Sequence, residues 1–412
     1  MQQSSAASKQ HSELTFKHNL EHGRHGWLRL TPAYSVKLVN DILKNSDSGI
    51  AVLDPFSGTG TTPLSAAYRG DTGTGVEINP FLTWLGQTKS DHYGTTVLKE
   101  SSHLVAEIIA CVSAGDLLPI EHPPIHNIGR WWDSDELSFL CRLKAAVDQA
   151  PTESAQSRNL LLVGFCRILI KLSNAAFNHQ SMSFRERDNS QGLLFSHSPD
   201  FLGMFRKEMD FVFEAAEENP LGWADILLGD SRAISSLLNT KYDLLITSPP
   251  YPNRISYIRE LRPYMYWLGY LNNGREAGEI DWSAIGGTWG IATSKLAEWE
   301  RPKEGFWPRY LKKSLDDIAN SGNKSSKLLS NYVAKYFSDM WVHLCETANV
   351  MTPGAKVHYI VGNSTFYGVL VPVEVLFRDM LHEAGFEDAK ISTIRKRNSK
   401  KELYEYDVHG RR

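Results

Sequence analysis

Two kinds of hydrophobic pattern alternate along the chain. Short apolar runs that stop at glycine, proline or polar residues are typical of buried parallel strands, and apolar positions three and four residues apart are typical of amphipathic helices. The alternation predicts an α/β protein. Strands are predicted at 51–54, 73–78, 242–247, 356–362 and 390–394, and helices after residue 32, from about residue 62, at 257–270 and at 373–383.

Two segments depart from this alternation. Leu137, Leu140 and Leu143 belong to a helical spacing that recurs between 93 and 220, which predicts an inserted helical unit. Residues 272–335 are rich in Gly, Trp, Lys and Ser without a clear period, which predicts a loop-rich insertion. The predicted organisation is a first half of the core at 1–92, the helical insertion at 93–220, core strands and a helix at 221–271, the loop-rich insertion at 272–335, and a C-terminal core with a basic tail at 336–412.

Composition narrows the class of protein. With 412 residues, 42% of them hydrophobic, the chain can bury a large core. Its four scattered cysteines form neither a disulfide framework nor a metal-ligand cluster, so we expect no metal. The polar N-terminus lacks an apolar signal core and no apolar run is long enough to span a bilayer, so we expect a cytoplasmic protein without membrane contact.

Residues 50–62 combine a short apolar strand, a glycine-rich turn and the start of a helix near Thr62. Such a turn lets a ligand approach bare backbone at a helix N-terminus. A second predicted strand carries Glu77 near its end, where an acid can meet the hydroxyls of a ribose. This spacing predicts an adenosine-containing ligand. Gly60 is followed by Thr61, Thr62 and Pro63 rather than by the third glycine of the dinucleotide fingerprint, which disfavours a nicotinamide enzyme.

The tetrapeptide Ser248-Pro249-Pro250-Tyr251 directly follows the apolar run 242–247. A proline pair ends that strand, so a serine hydroxyl, a proline carbonyl and a tyrosine ring are expected at the carboxyl edge of the sheet. Taken alone, these four residues are also compatible with an ordinary loop. In this context they predict a site for an amino group on a flat ring.

On these residues the chain resembles S-adenosylmethionine-dependent DNA amino-methyltransferases, most closely the cytosine-N4 branch of restriction-modification systems. The turn 54–60 matches the cofactor motif, and 248–251 matches the catalytic motif. The resemblance covers roughly residues 20–92 and 225–400, and it implies a Rossmann-like class I methyltransferase with a mostly parallel seven-stranded sheet. The cofactor-binding residues that it implies are Thr31, Pro32, Asp54, Pro55, Phe56, Ser57, Gly58, Thr59, Gly60, Thr61, Glu77, Ile78 and Asp230.

The resemblance also implies a mechanism and partners. The Ser248 hydroxyl and the Pro249 carbonyl would accept hydrogen bonds from the target amine, and Tyr251 would stack on a base flipped out of double-stranded DNA. A cognate restriction endonuclease would accompany the enzyme. Carbon-5 methylation of cytosine needs a cysteine nucleophile, typically after proline, and none of the four cysteines follows a proline.

Candidate DNA-contacting residues lie near the ends of the core strands. Two follow the catalytic motif, two end the predicted strand 356–362, and three belong to a basic run at 390–401 that contains no acid. An ordinary turn or a solvated polar face would account for the same residues. The formal net charge of −3 excludes a uniformly basic surface. The candidates are Asn253, Arg254, Asn363, Ser364, Arg395, Lys396 and Arg397.

Three alternatives to cytosine-N4 methylation remain open at this point. Adenine-N6 methylation uses the same amine chemistry, although an Asp or Asn at position 248 would have favoured it. An RNA guanine-N2 methyltransferase has a similar proline-rich strand end. A noncatalytic partner would bind DNA and cofactor without transferring methyl. Target recognition is expected in one insertion or in both.

Overall fold

A seven-stranded sheet forms the centre of the computed structural model, which describes residues 12–30, 33–115, 117–176, 183–184, 199–253, 256–287, 291–398 and 402–412. The strand order is β10-β11-β7-β6-β1-β2-β5, and every neighbouring pair is parallel except those that β11 makes with β7 and β10. The strands are β1 (Ala51–Asp54), β2 (Thr72–Glu77), β5 (Trp223–Leu228), β6 (Tyr242–Thr247), β7 (Met351–Gly362), β10 (Glu387–Asn398) and β11 (Leu403–Arg411). The predicted mostly parallel seven-stranded sheet is confirmed.

Two short antiparallel pairs lie outside this sheet. They are β3 (Ala175–Ala176) with β4 (Ser183–Phe184), and β8 (Ser364–Phe366) with β9 (Val369–Val371). The helices are α1 (Phe16–Asn19), α2 (Val36–Lys44), α3 (Thr61–Arg69), α4 (Pro80–Ser90), α5 (Thr95–Ala114), α6 (Ser134–Gln149), α7 (Ala155–Lys171), α8 (Phe201–Glu217), α9 (Ile234–Leu237), α10 (Tyr257–Trp267), α11 (Gly274–Ser283), α12 (Ile291–Glu298), α13 (Arg309–Ala319), α14 (Ser326–Val350) and α15 (Val373–Glu383). No helix among the described residues is long and apolar enough to cross a membrane.

Helices α5 to α8 lie in the described part of the segment 93–220, where the spacing predicts helices. They share one hydrophobic cluster with α4 and α10, so this segment packs onto the core. Trp132 is fully buried, donates its indole N–H to the Leu169 carbonyl at 2.9 Å and contacts Trp267 of α10 edge to face. The corner around Trp132 is therefore a packing element, and losing a tryptophan of this kind costs roughly 3–5 kcal/mol.

The prediction of a loop-rich insertion at 272–335 is wrong. Helices α11, α12 and α13 and the start of α14 occupy most of this segment. Leu311, Leu315 and Ile318 lie on one buried face of α13 and pack in the same cluster as Phe337 of α14. The period is hard to see because each helix is short and the intervening residues include glycine and proline breaks.

The C-terminal residues also form more structure than the sequence predicts. The strand expected at 390–394 extends over all of β10, and residues 403–411 form β11, which enters the sheet between β10 and β7. The predicted basic tail is therefore largely a β-hairpin. β11 was missed because acidic residues interrupt its apolar pattern, and in the structure Glu405 and Asp407 pair with side chains of neighbouring strands.

Candidate active site

A cavity opens at the carboxyl ends of β1, β2, β5 and β6, which is the edge where open α/β sheets bind ligands. The ends of these strands supply one side of it, and residues of α10 and of the C-terminal end of α11 supply the other. The lining residues that the sequence predicts are Pro55, Phe56, Ser57, Gly58, Thr59, Thr61, Glu77, Ile78, Asp230, Ser248 and Pro250. Those that it does not predict include Tyr34, Asn79, Leu82, Ile258, Leu261, Asp281 and Ser283.

The glycine-rich turn is held closely against the strands beneath it. Gly58 and Gly60 have φ of +52° and +77°, in the left-handed region that glycine adopts without strain. A Cβ on Gly60 would lie 3.2 Å from the Gly86 Cα of α4, and one on Gly75 would lie 2.6 Å from Ser57. These close approaches fix the turn at the N-terminus of α3. Gly60 supports the turn without lining the cavity, and Thr31 and Pro32 lie outside the described residues.

Glu77 organises the cavity wall. Its carboxylate accepts hydrogen bonds from the Gly58 N–H at 2.9 Å and from the Asn79 N–H at 2.8 Å. Burial raises the pKa of Glu77 to about 7, although these two hydrogen bonds oppose the rise. An acid held at the end of β2 in this way fits a ligand that offers hydroxyl groups.

Asp54 lies beneath the cavity rather than in its wall. It is fully buried, and its carboxylate accepts from the Thr247 hydroxyl at 2.6 Å, the Tyr34 hydroxyl at 3.0 Å and the Phe56 N–H at 3.1 Å. Burial raises its pKa to about 6, against the effect of these hydrogen bonds. Its role as a direct cofactor contact is not supported by this geometry. Asp54 instead joins the glycine-rich turn to the catalytic strand.

Asp230 follows β5 and is paired with Arg232. The guanidinium donates to both carboxylate oxygens, at 3.0 and 2.6 Å, and also to the Ser283 carbonyl of α11 at 2.6 Å. Burial alone would raise the pKa of Asp230, but the hydrogen bonds and charge of Arg232 outweigh it and lower the pKa. Arg232 also pairs with Asp339 of α14 at 3.2 Å. The acid therefore stays ionised in the cavity wall, and the end of α11 is tied to it.

A buried histidine that the sequence does not reveal supports the cavity from below. His343 of α14 packs edge to face against Phe56, with the ring centroids 4.7 Å apart. Its Nδ1 lies 3.1 Å from the Ser231 carbonyl and its Nε2 lies 3.0 Å from the Tyr359 hydroxyl. Burial lowers the pKa of His343 to about 4, so the ring is neutral near pH 7. A neutral ring donates from Nδ1 and accepts at Nε2, which satisfies both contacts.

The catalytic tetrapeptide begins at the carboxyl end of β6. The Ser248 hydroxyl donates to the Ile360 carbonyl of β7 at 3.2 Å, and Ser248 and Pro250 line the cavity. Pro249 is buried. Tyr251 is half-buried and points toward the C-terminal hairpin, where its hydroxyl donates to Glu405 at 2.9 Å. Ser248 and Pro250 thus line the cavity, whereas Tyr251 lies beside it against the C-terminal hairpin.

Asn253, Asn363 and Ser364 lie near this loop, and Arg254 lies outside the described residues. The Asn363 side chain accepts from the Tyr404 N–H at 2.8 Å and donates to the Glu402 carbonyl at 3.2 Å, so its amide holds the hairpin. The Ser364 hydroxyl is buried and has no hydrogen-bond partner among the described residues. The Asn363 side chain thus has a structural role, and its contact with a DNA base stays a prediction.

The three basic candidates of β10 are engaged within the hairpin. Arg395 pairs with Glu405 at 2.6 Å, and Lys396 pairs with Glu402 at 2.8 Å. Arg397 donates to the Tyr404 carbonyl at 3.0 Å and to the Asn363 carbonyl. Each contact offers a structural reason for these charges, so their role in DNA binding stays a prediction.

The sheet topology, with β11 antiparallel beside β7 and a cavity at the ends of β1, β2 and β5, is that of a Rossmann-like α/β fold. No family model matches the sequence. The chain is 22% identical to the Type II methyltransferase M.BsoBI of Geobacillus stearothermophilus over 95% of its own length and 85% of that protein. It is also 22% identical to the Type II methyltransferase M.AvaI of Nostoc sp., over 97% of its length and 86% of that protein. The chain is a homologue of these Type II methyltransferases.

Two solved structures are more distant. TrmN from Thermus thermophilus has a TM-score of 0.32 and 10% identity, covering 97% of this chain and 53% of that one. The rRNA methyltransferase aviRa from Streptomyces viridochromogenes has a TM-score of 0.30 and 11% identity, with 96% of both chains covered. Neither likeness is close enough to inform the site.

The homology implies S-adenosylmethionine as the methyl donor, as the sequence predicts. The cavity fits this molecule: Glu77 would hold the ribose hydroxyls, Asp230 would meet the adenine amine, and Ile78 and Leu82 offer apolar contacts. The Ser57 hydroxyl is buried in the turn without a hydrogen-bond partner among the described residues, and it is one more polar group that a ligand can satisfy.

Proposed function

We propose that the chain is a site-specific DNA methyltransferase that modifies the exocyclic N4 amine of cytosine in duplex DNA. Support comes from the homology with Type II methyltransferases and from a Ser-Pro-Pro-Tyr sequence at the edge of the cofactor cavity. The Type II relatives also support a role in restriction-modification. A restriction endonuclease of the same specificity is then the expected partner, and the cytoplasm is the expected compartment.

The orientation of Ser248 carries the proposal. Its hydroxyl proton can go to the Ile360 carbonyl at 3.2 Å or to the Tyr251 hydroxyl, with which Ser248 also hydrogen-bonds, and in either case an oxygen lone pair is left to accept a hydrogen from an amine in the cavity. The Pro249 carbonyl is the second proposed acceptor. Two acceptors on the amine localise its lone pair on nitrogen and stabilise the positive charge that develops there during transfer. S-Adenosylmethionine supplies an electrophilic methyl group, so no covalent adduct with the base is required.

The position of this site within a cavity wall supports base flipping. A base inside duplex DNA cannot reach Ser248, and extruding it costs a few kcal/mol. Stacking on an aromatic side chain recovers about 1–3 kcal/mol. Tyr251 is the aromatic residue next to the amine acceptors, and we assign the stacking role to it.

The test is expression in a host that lacks its own DNA methylation, followed by genome sequencing that distinguishes N4-methylcytosine from N6-methyladenine. We expect N4-methylcytosine within one short sequence motif, and a strongly reduced mark from a matched Ser248→Ala strain. N6-methyladenine would keep the amine chemistry and overturn the choice of base. A genome without either mark, from a strain that makes folded protein, would overturn the proposal and direct attention to RNA substrates or to a noncatalytic role.

A further inference from the structure

The C-terminal hairpin holds the Tyr251 ring at two points. Its hydroxyl donates to Glu405 Oε1 of β11 at 2.9 Å. The Arg397 guanidinium of β10 lies 5.2 Å from the ring centroid, within the range of a cation–π contact. Both contacts come from residues more than a hundred positions away in the sequence. The ring is therefore fixed by tertiary structure and not by its own loop alone.

The register of the sheet explains how Glu405 reaches the catalytic loop. Glu405 lies opposite Gly362 of β7, and β7 separates β11 from β6. Because Gly362 has no side chain, the Arg397 guanidinium occupies the space beside it: a Cβ there would lie 2.6 Å from the guanidinium carbon. Gly362 thus leaves room for Arg397 beside the tyrosine.

The two oxygens of Glu405 have separate partners. Oε2 accepts from Arg395 Nε at 2.6 Å, and Arg395 is the cross-strand neighbour of Glu405. Only 6% of Glu405 is exposed, and a carboxylate this buried needs a partner of opposite charge. Arg395 fulfils that need. The second oxygen is therefore available for the Tyr251 hydroxyl, an interaction that the ion pair itself does not require.

We propose that Glu405 is a positioning residue for the stacking aromatic: it fixes the Tyr251 ring through its hydroxyl, while Arg397 covers one face and leaves the other for the target base. This inference rests on the proposed function, because it gives the ring a base to stack on. A ring fixed in advance avoids ordering costs when the base arrives and favours the reactive geometry.

A double-mutant cycle tests this role. Tyr251→Phe keeps the ring and removes the hydroxyl, which also hydrogen-bonds with Ser248, and Glu405→Ala removes only the Glu405 partner. If the two residues act through one hydrogen bond, each substitution lowers kcat for DNA methylation by about tenfold, and the double variant is no worse than either single one. Glu405→Gln can give its one acceptor oxygen to Arg395 and donate its amide N–H to the Tyr251 hydroxyl, so it still holds the ring and should keep most of the activity. The affinity for S-adenosylmethionine, measured by calorimetry, should be unchanged in all variants.

Contrary outcomes separate this role from the function itself. An active wild-type enzyme whose two single effects multiply in the double variant would overturn the role of Glu405 alone. A folded wild-type chain that methylates no DNA would overturn the proposed function and this role with it. If Glu405→Ala does not fold, Tyr251→Phe decides, since it leaves the Glu405–Arg395 pair intact: normal kcat in that variant overturns the inference.

Discussion

The Thr247 hydroxyl donates to Asp54 Oδ1 across 2.6 Å, and this contact joins the two sequence motifs of the site. Thr247 is the last residue of β6 and directly precedes Ser248, whereas Asp54 is the last residue of β1 and begins the glycine-rich turn. Both residues are fully buried. The turn that would hold the cofactor and the loop that would hold the target amine are thus fixed to each other by one charged hydrogen bond.

Removing that hydrogen bond should destabilise the protein. Thr247→Val keeps the side-chain shape but deprives the buried Asp54 carboxylate of one partner, so we expect the free energy of unfolding to fall by about 1–3 kcal/mol. Thr247→Ser keeps the hydroxyl and is the matched control. Urea unfolding at pH 8, where Asp54 is ionised, measures the difference. A urea midpoint for Thr247→Val equal to that of the wild type would show that the contact contributes little.

Cofactor affinity should depend on pH through Glu77. Burial raises its pKa to about 7, so the carboxyl is increasingly protonated below that pH. Ribose hydroxyls bind the ionised form better, and binding must therefore weaken as pH falls, approaching about tenfold in Kd per pH unit well below pH 7. Calorimetry with S-adenosylmethionine between pH 5.5 and pH 8.5 measures this slope.

Asp54, with a pKa of about 6, also titrates in this range, and a further group, Lys89, needs its own control. Lys89 is buried, donates to the Thr59 carbonyl at 3.3 Å, and has its pKa lowered by burial to about 7. Glu77→Gln should bind more weakly and lose the pH dependence, whereas Lys89→Met should retain it. A slope that survives in Glu77→Gln and disappears in Lys89→Met would assign the effect to the lysine.

Negative charge at the glycine-rich turn should abolish cofactor binding. The Gly58 N–H bonds to Glu77, and its φ of +52° is one that Asn and Asp adopt more readily than other side chains. Gly58→Asn and Gly58→Asp therefore place similar shapes at similar backbone cost, but only the aspartate repels Glu77. We expect Gly58→Asp to show no measurable binding and Gly58→Asn to bind weakly. Equal loss in both would mean that shape, and not charge, is decisive.

The parts of the site that the sequence predicts are those whose chemistry is local. A buried parallel strand can be recognised in the sequence as an apolar run, and the glycines of the turn after β1 are visible there directly. Helix α15 has the predicted bounds because its apolar spacing is undisturbed. The acid Glu77 could be placed because it ends a recognisable strand.

The missing parts depend on pairings between distant residues. In the sequence, Glu405 is simply a charged residue near the C-terminus. It is the register of the sheet that places it next to Tyr251. Asp281 and Ser283 line the cavity because α11 packs over it, in a segment where no period was visible. A clue to β11 did exist: Tyr404, Tyr406 and Val408 are strand-forming residues at alternate positions.

Ser248 should separate catalysis from cofactor binding. Ser248→Ala removes the hydroxyl that bonds to the Ile360 carbonyl and that we assign to the target amine, while the other cavity residues stay in place. Loss of one polar group that stabilises developing charge commonly costs a hundredfold or more in kcat, so we expect about that decrease. The Kd for S-adenosylmethionine should stay within about twofold of wild type, because a hydrogen-bond acceptor that the bound cofactor does not need contributes little to its affinity. Radiolabelled methyl transfer to DNA and calorimetry measure the two effects.

Ser248→Cys is the control for shape, since its thiol fills the same space but is a weak acceptor, and it should resemble the alanine variant. Normal turnover in Ser248→Ala would defeat the assigned role of this hydroxyl.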